Sequence, residues 1–141
     1  MILSIQTASM DSMLQLQKAD GTVVATESWE SGRALSEDIL RRIAELVAGN
    51  KLELGDLTGI IIFSGPGSFT SLRIGHSVAN ALADGLGIPI VGTMGEDWIQ
   101  EGIIELKTSG AKEPALPFYG SEPNTHQTQI VKVLHQVFQS H

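Results

Sequence analysis

At 141 residues, with 42% hydrophobic and 18% charged side chains, the chain has the size and composition of one domain with a core of its own. A net charge of −7 with only nine basic residues works against binding a phosphate backbone, which needs clustered Lys and Arg to displace counterions. The absence of cysteine excludes disulfides, thiolate nucleophiles and zinc knuckles; with no basic leader and no run of ~20 apolar residues, the sequence predicts a cytoplasmic protein without a membrane span.

In chain order, Met1–Thr7, Ser12–Lys18 and Thr22–Trp29 read as short extended segments, the last two joined at Asp20-Gly21, a dipeptide that tolerates positive φ and signals a hairpin. From Leu35 the spacing turns helical, with Leu35, Ile39, Ile43, Leu46 and Val47 three or four apart, Ser36 as expected N-cap and Gly49-Asn50 as stop. The run "GIIIF", Gly59–Phe63, suits a strand covered on both faces. A helix is predicted from Thr70 to Gly85, a strand in "IPIVG" from Ile88, and a further helix opening at Thr93 with Glu96 completing a capping box.

Three antiparallel strands followed by helix, strand, helix, strand and helix predict a mixed five-stranded α/β sheet with two right-handed crossovers. That is the layout of a ribonuclease-H-like or actin-kinase-chaperone lobe. Beyond Leu106 the chain holds three prolines in "KTSGAKEPALPFYGSEPNT" and loses its periodicity. The expected division is therefore a lobe over 1–106 and a tail over 107–141. Within the tail, Ile130, Val133, Leu134, Val137 and Phe138 recur at the spacing of an amphipathic helix.

The turn "SGPGSFT" between the fourth strand and its helix is a place where chemistry often sits. It lacks the lysine of a phosphate-binding loop, and Thr70 fills the third glycine position of a dinucleotide fingerprint. Gly65, Pro66, Gly67, Ser68, Phe69 and Thr70 remain a candidate anion site if Thr70 caps the helix and the amides of Ser71 and Leu72 stay open. The simpler reading gives Gly65 and Gly67 to tight backbone geometry, Pro66 to stiffness and Phe69 to a buried ring.

In the helix that follows, Gly75, Ala79 and Ala83 form a stripe of small side chains at i, i+4 and i+8, with Leu72, Ile74, Val78, Leu82 and Leu86 around it. An interior helix glycine costs ~1 kcal/mol against alanine, so close packing is expected there. Packing within the chain is the commoner cause of such a stripe and a partner helix the sharper one.

"GPGSFTSLRIG", Gly65 to Gly75, closely resembles the "GPGSFTGLRIG" signature of the TsaB (YeaZ) family, which acts in threonylcarbamoyladenosine synthesis on tRNA. "MILSIQTAS" resembles the family's first strand and "ALSEDILRRIAELV" its "HSExLLPxI" helix; the similarity covers Met1 to Gly92. The resemblance implies a non-catalytic, actin-like subunit without a cofactor. Its implied partners are TsaD, which carries the metal and transfers the threonylcarbamoyl group, and TsaE, a further ATPase component. It also implies that the helices over Leu35–Ala48 and Thr70–Gly85 form the dimer face as a four-helix bundle. The expected partner-interface residues are Leu35, Ile39, Arg42, Ile43, Leu72, Arg73, Gly75, His76, Ala79 and Ala83. A homodimer through that face is expected when the partner is absent, and tRNA is expected to be touched only through a partner.

The chain departs from the family pattern at Gln6, where an aspartate is usual, at Ala34-Leu35, where a histidine is expected, and in length, the tail standing in place of a second lobe. Loss of the Gln6 carboxylate removes an expected partner of a metal-nucleotide complex. The alternative function is a minimal nucleotide-binding enzyme that uses Gly65–Thr70 for phosphate. His76, His126, His135 and His141 make no HxxxH or HExxH pair, no spacing selects Asp11, Glu96 and Asp97 as acid and base, and Ser64 and Ser68 do not form GxSxG. His76 is read as a surface or interface residue.

Overall fold

A computed structural model describes residues 1–109 and 114–117. Strands β1 (Ile2–Gln6), β2 (Asp11–Gln17) and β3 (Val23–Glu30) form an antiparallel meander, followed by α1 (Leu35–Gly49), β4 (Gly59–Phe63), α2 (Phe69–Leu86), β5 (Ile90–Thr93) and α3 (Trp98–Ser109). The sheet order is β3-β2-β1-β4-β5, with β4 parallel to β1 and β5 parallel to β4. This is the mixed five-stranded α/β lobe that the alternation of elements predicts.

Residue alternation along the central strands builds a core on each face of the sheet. Leu3, Ile5, Ile60, Ile62 and Ile90 point into the larger cluster, where Leu35, Ile39, Ile43 and Val47 of α1 meet Val78, Ala79 and Ala83 of α2. Ile2, Ile61 and Val91 point the other way, to Trp98 and Ile103 of α3. The run in "GIIIF" is continuous because β4 lies between two helical layers, and Ile60, Ile61 and Ile62 are fully buried. Each such side chain contributes about 1.5–3 kcal/mol by leaving water.

The hairpin closes at Asp20-Gly21: Lys18 N donates to Thr22 O at 2.9 Å, Gly21 adopts φ +94°, and Asp20 Oδ1 accepts from Thr22 N at 2.9 Å. That last bond, from the Thr22 backbone, holds the Asp20 carboxyl below its ordinary pKa. Helix α1 stops where expected, with Asn50 as its C-cap and Asn50 Nδ2 donating back to Leu46 O at 2.7 Å.

Three helix starts differ from expectation. Ser36 lies inside α1, whose N-cap is Ala34; the chain enters through a 3-10 turn over Gly32–Ala34, anchored by Ser31 N and Gly32 N on Met10 O. The cap of α2 is Ser68, not Thr70; its Oγ accepts from Ser71 N. Thr93 ends β5 instead of opening α3, and its hydroxyl donates to Trp98 O at 2.6 Å. Only α2 carries a side-chain cap at its start; α1 is entered from the 3-10 turn without one, and Thr93 stays in the strand. The expected helix through Ile130, Val133, Leu134, Val137 and Phe138, and most of the expected tail, lie outside the described residues.

Candidate functional site

The Gly65–Thr70 turn joins β4 to α2 at the end of β1. Gly65 adopts φ +101°, and its bond to Pro66 is cis. A Cβ on Gly67 would lie 2.5 Å from the carbonyl oxygen of Ala8, so only glycine permits the approach at that position. The contact is sealed by Ser68 N donating to Ala8 O at 2.8 Å, while Ser71 N goes to Ser68 Oγ and Leu72 N to Ser68 O. The amides of Ser71 and Leu72 that an anion would need are therefore spent inside the chain. Phe69, expected to bury its ring, is 45% exposed and carries the Arg73 guanidinium 5.3 Å from its centroid.

The small stripe on α2 faces inward. Ala79 is fully buried, Ala83 is 2% exposed, and a Cβ on Gly75 would strike Thr7, whose hydroxyl donates to Ser71 O at 2.9 Å. Leu35, Ile39, Ile43, Leu72 and His76 are likewise 1% exposed or less. Eight of the ten residues expected at a partner interface thus belong to the chain's own core, so the stripe serves close packing of α2 on the sheet. Of the other two, Arg42 turns toward β3, where it pairs with Glu27 at 2.6 Å and lies 4.9 Å from the Trp29 ring centroid. Arg73 is half-buried beside exposed Phe69.

His76 is a buried core residue and not a surface one. With Nδ1 2.8 Å from Leu72 O and Nε2 3.3 Å from Ser64 Oγ, the ring is satisfied as a neutral Nδ1–H tautomer that accepts from the serine. Burial pushes its pKa down to about 4, partly opposed by the bond to Leu72. One turn on, Asn80 is 3% exposed and pairs through both amide atoms with the main chain of Ala115. Sequence reasoning passed over this contact; its one signal is a lone amide amid the apolar residues of α2.

Apolar side chains stand partly in water on α1 and α2, beside the exposed ion pairs of Arg41 with Asp38 and Glu45. Leu40 is 42% exposed, Phe69 45%, and Ile74, Leu82 and Leu86 are half-buried. On the opposite layer a groove of about 560 Å³ separates α3 from the β2–β3 hairpin, with Glu96, Asp97, Asp20 and Lys107 among its polar residues and Ile99 and Ile103 among its apolar ones. Glu96, Asp97 and Asp20 line this groove without gathering into a cluster, while Asp11 lies elsewhere, at the start of β2. Gln6 turns back on its own loop, its Oε1 accepting from Ala8 N at 3.2 Å. His126, His135 and His141 lie outside the described residues; among the described residues no three His, Asp or Glu side chains gather as a metal site, and no helix is long and apolar enough to cross a membrane.

Comparison with known proteins gives a consistent picture. Residues 10–116 match the model of the family described as TsaD, tRNA N6-adenosine threonylcarbamoyltransferase. The chain is 34% identical over 91 residues to the Escherichia coli tRNA threonylcarbamoyladenosine biosynthesis protein TsaB, covering 64% of this chain and 38% of that one. It is 30% identical over 105 residues to the tRNA N6-adenosine threonylcarbamoyltransferase of Christiangramia forsetii, covering 73% and 30%. Among solved structures, YeaZ from Pseudomonas aeruginosa superposes with a TM-score of 0.62 at 20% identity, covering 77% of this chain and 49% of that one, which establishes the fold. The chain spans less than half the length of these relatives.

Proposed function

This chain belongs to the tRNA N6-adenosine threonylcarbamoyltransferase family, with TsaB proteins among its relatives, and we propose that within it the chain is a non-catalytic scaffold subunit that pairs with TsaD. The observation that carries this reading is where the amides at the start of α2 go: Ser68 N donates to Ala8 O, and Ser71 N and Leu72 N donate to Ser68, so the Gly65–Thr70 turn serves to deliver the helix. Gln6 supports the same reading, since an amide that accepts from Ala8 N supplies no anionic ligand to a metal-nucleotide complex.

The docking face is the outer side of α1 and α2. Leu40, Ile74 and Leu82 supply half-exposed apolar surface, Phe69 with Arg73 stacked on it forms one end, and the buried stripe beneath keeps the two helices rigid. TsaE joins through the assembled pair, and tRNA is held by the partner, in keeping with the −7 charge of this chain. The same face pairs two copies of the chain when TsaD is absent.

Co-purification with the TsaD of its own source, read by size-exclusion chromatography with light scattering, tests the proposal. A one-to-one complex that disappears in the double variant Leu40→Glu, Phe69→Ser is the expected result, and no complex at any ratio with the chain folded refutes it. Calorimetric titration of the isolated chain with ATP and magnesium is expected to give no heat. Saturable heat that is lost in Thr70→Ala would return the turn to phosphate binding.

A further inference from the structure

One face of the sheet is covered over only part of its width. Helix α3 seals Ile2, Ile61 and Val91, and the groove beside it opens over β2 and β3. Apolar side chains stand in water at both rims, Ile104 of α3 at 61% and Val23 of β3 at 54% exposure, and Ile99 and Ile103 line the same groove. A trough of this kind takes the apolar face of an amphipathic helix. It is also acidic at both ends. Glu96 and Asp97 precede α3; Leu106 near the other end of α3 lies over Gly59, which is in register with Ile2 and Gln17 and so places the Asp20 hairpin there. Among the described residues no ion pair engages Asp20, Glu96 or Asp97, whereas Asp38 and Glu45 on α1 are already paired with Arg41.

The sequence beyond the described residues carries the complement. Ile130, Val133, Leu134, Val137 and Phe138 recur at helical spacing, and on a helix His126 and His141 fall at the two ends of that same stripe, four residues before Ile130 and seven beyond Leu134. From 126 to 141 there are one lysine, Lys132, and three histidines but no acidic residue, while the groove sets Asp20, Glu96 and Asp97 against Lys107 alone. The two charges are therefore opposite. The connection is long enough. The fold holds Ala115 on Asn80 beside Gly92 of β5, and residues 118–125 extend up to about 26 Å from there. That reach passes the β5 edge and crosses the three strand spacings to β2, roughly 14 Å.

We infer that residues 126–141 dock in cis as an amphipathic helix in the groove between α3 and the β2–β3 hairpin. The stripe from Ile130 to Phe138 covers Ile99, Ile103, Ile104 and Val23, and His126 and His141 reach the acidic ends. Tethering keeps the local concentration of the segment high, which favours this chain's own segment over one from another molecule. The groove lies on the layer opposite the docking face of the proposed scaffold function, and its occupancy stands whether or not that proposal holds.

The chain has no cysteine, so an introduced pair can be followed alone in the full-length protein. Leu134→Cys is combined with Ile104→Cys at the groove and, separately, with Met94→Cys; the two positions are 61% and 45% exposed, so neither substitution opens the core. Met94 stands two residues beyond Gly92, beside the place where the segment leaves the fold, and a segment without a preferred seat would find it at least as readily as Ile104. Under mild oxidation the Ile104→Cys pair is expected to close within one molecule at least tenfold faster than the Met94→Cys pair, read by non-reducing electrophoresis and peptide mass. Adding Val137→Asp is expected to slow that closure at least tenfold. Equal rates for the two pairs overturn the inference, as does a rate that Val137→Asp leaves unchanged. Closure only between two molecules also overturns it, since the groove would then hold the segment of a second copy.

Discussion

Helix α2 has two sides with opposite obligations. Gly75, His76, Ala79 and Ala83 are sealed against Thr7, Ser64 and the sheet, whereas Phe69, Ile74 and Leu82 stand partly in water. The inner side decides whether the chain folds, and the outer side is free to decide what it binds. Small residues at helical spacing report close approach without saying to what; here they bring a helix down onto its own sheet.

The sharpest way to break this comparison is Ala79→Glu. It would place a carboxylate in a fully buried position without a partner, and the expected outcome is loss of the folded chain, seen as an absent thermal transition. A folded variant that merely fails to bind would put Ala79 on the docking side instead. Gly75→Val follows: its Cβ collides with Thr7, and about 3 kcal/mol of stability should be lost in urea unfolding at pH 7.

Acid tests the inner side without a mutation. Above pH 6.5 the His76 ring is neutral in both the folded and unfolded chain and adds no pH dependence; between 6.5 and about 4 only the unfolded ring takes up a proton, so stability falls as pH falls. The loss is complete below about pH 4 and amounts to at most about 3 kcal/mol. Urea midpoints at pH 7 and pH 4.5 should therefore converge in His76→Asn relative to the unaltered chain, and an unchanged difference would mean the ring is not held neutral. The smallest effect belongs to the outward side of α1: Leu40→Ser should move stability by less than about 0.5 kcal/mol, because its side chain is already 42% exposed.

Much of the sheet was legible before the structure. The unbroken "GIIIF" run marked a strand between two layers, and Asp20-Gly21 marked the hairpin, because both signals are local: side-chain period and backbone φ. The helix starts at Ser36, Thr70 and Thr93 were misplaced because the incoming chain sets where a helix begins: a 3-10 turn held on Met10 O leads into α1, Ser68 takes the capping place before α2, and Thr93 stays in β5 with its hydroxyl on Trp98 O. The direction of the Gly75-Ala79-Ala83 stripe was illegible for a related reason, since spacing fixes a face but not the layer it meets. His76 and Asn80, polar residues on that face, were the available signal that it was an inner one: each is satisfied by a distant segment, Ser64 or Ala115.

The division between the inner and outer sides of the α1 and α2 pair is tested most directly by calorimetric titration of TsaD, the proposed partner, with the unaltered chain and with Leu40→Glu, alongside urea unfolding of both. The account predicts unchanged stability and an affinity reduced at least tenfold in the variant. Equal affinities for two equally stable proteins would contradict it, and would place the docking face elsewhere on the molecule.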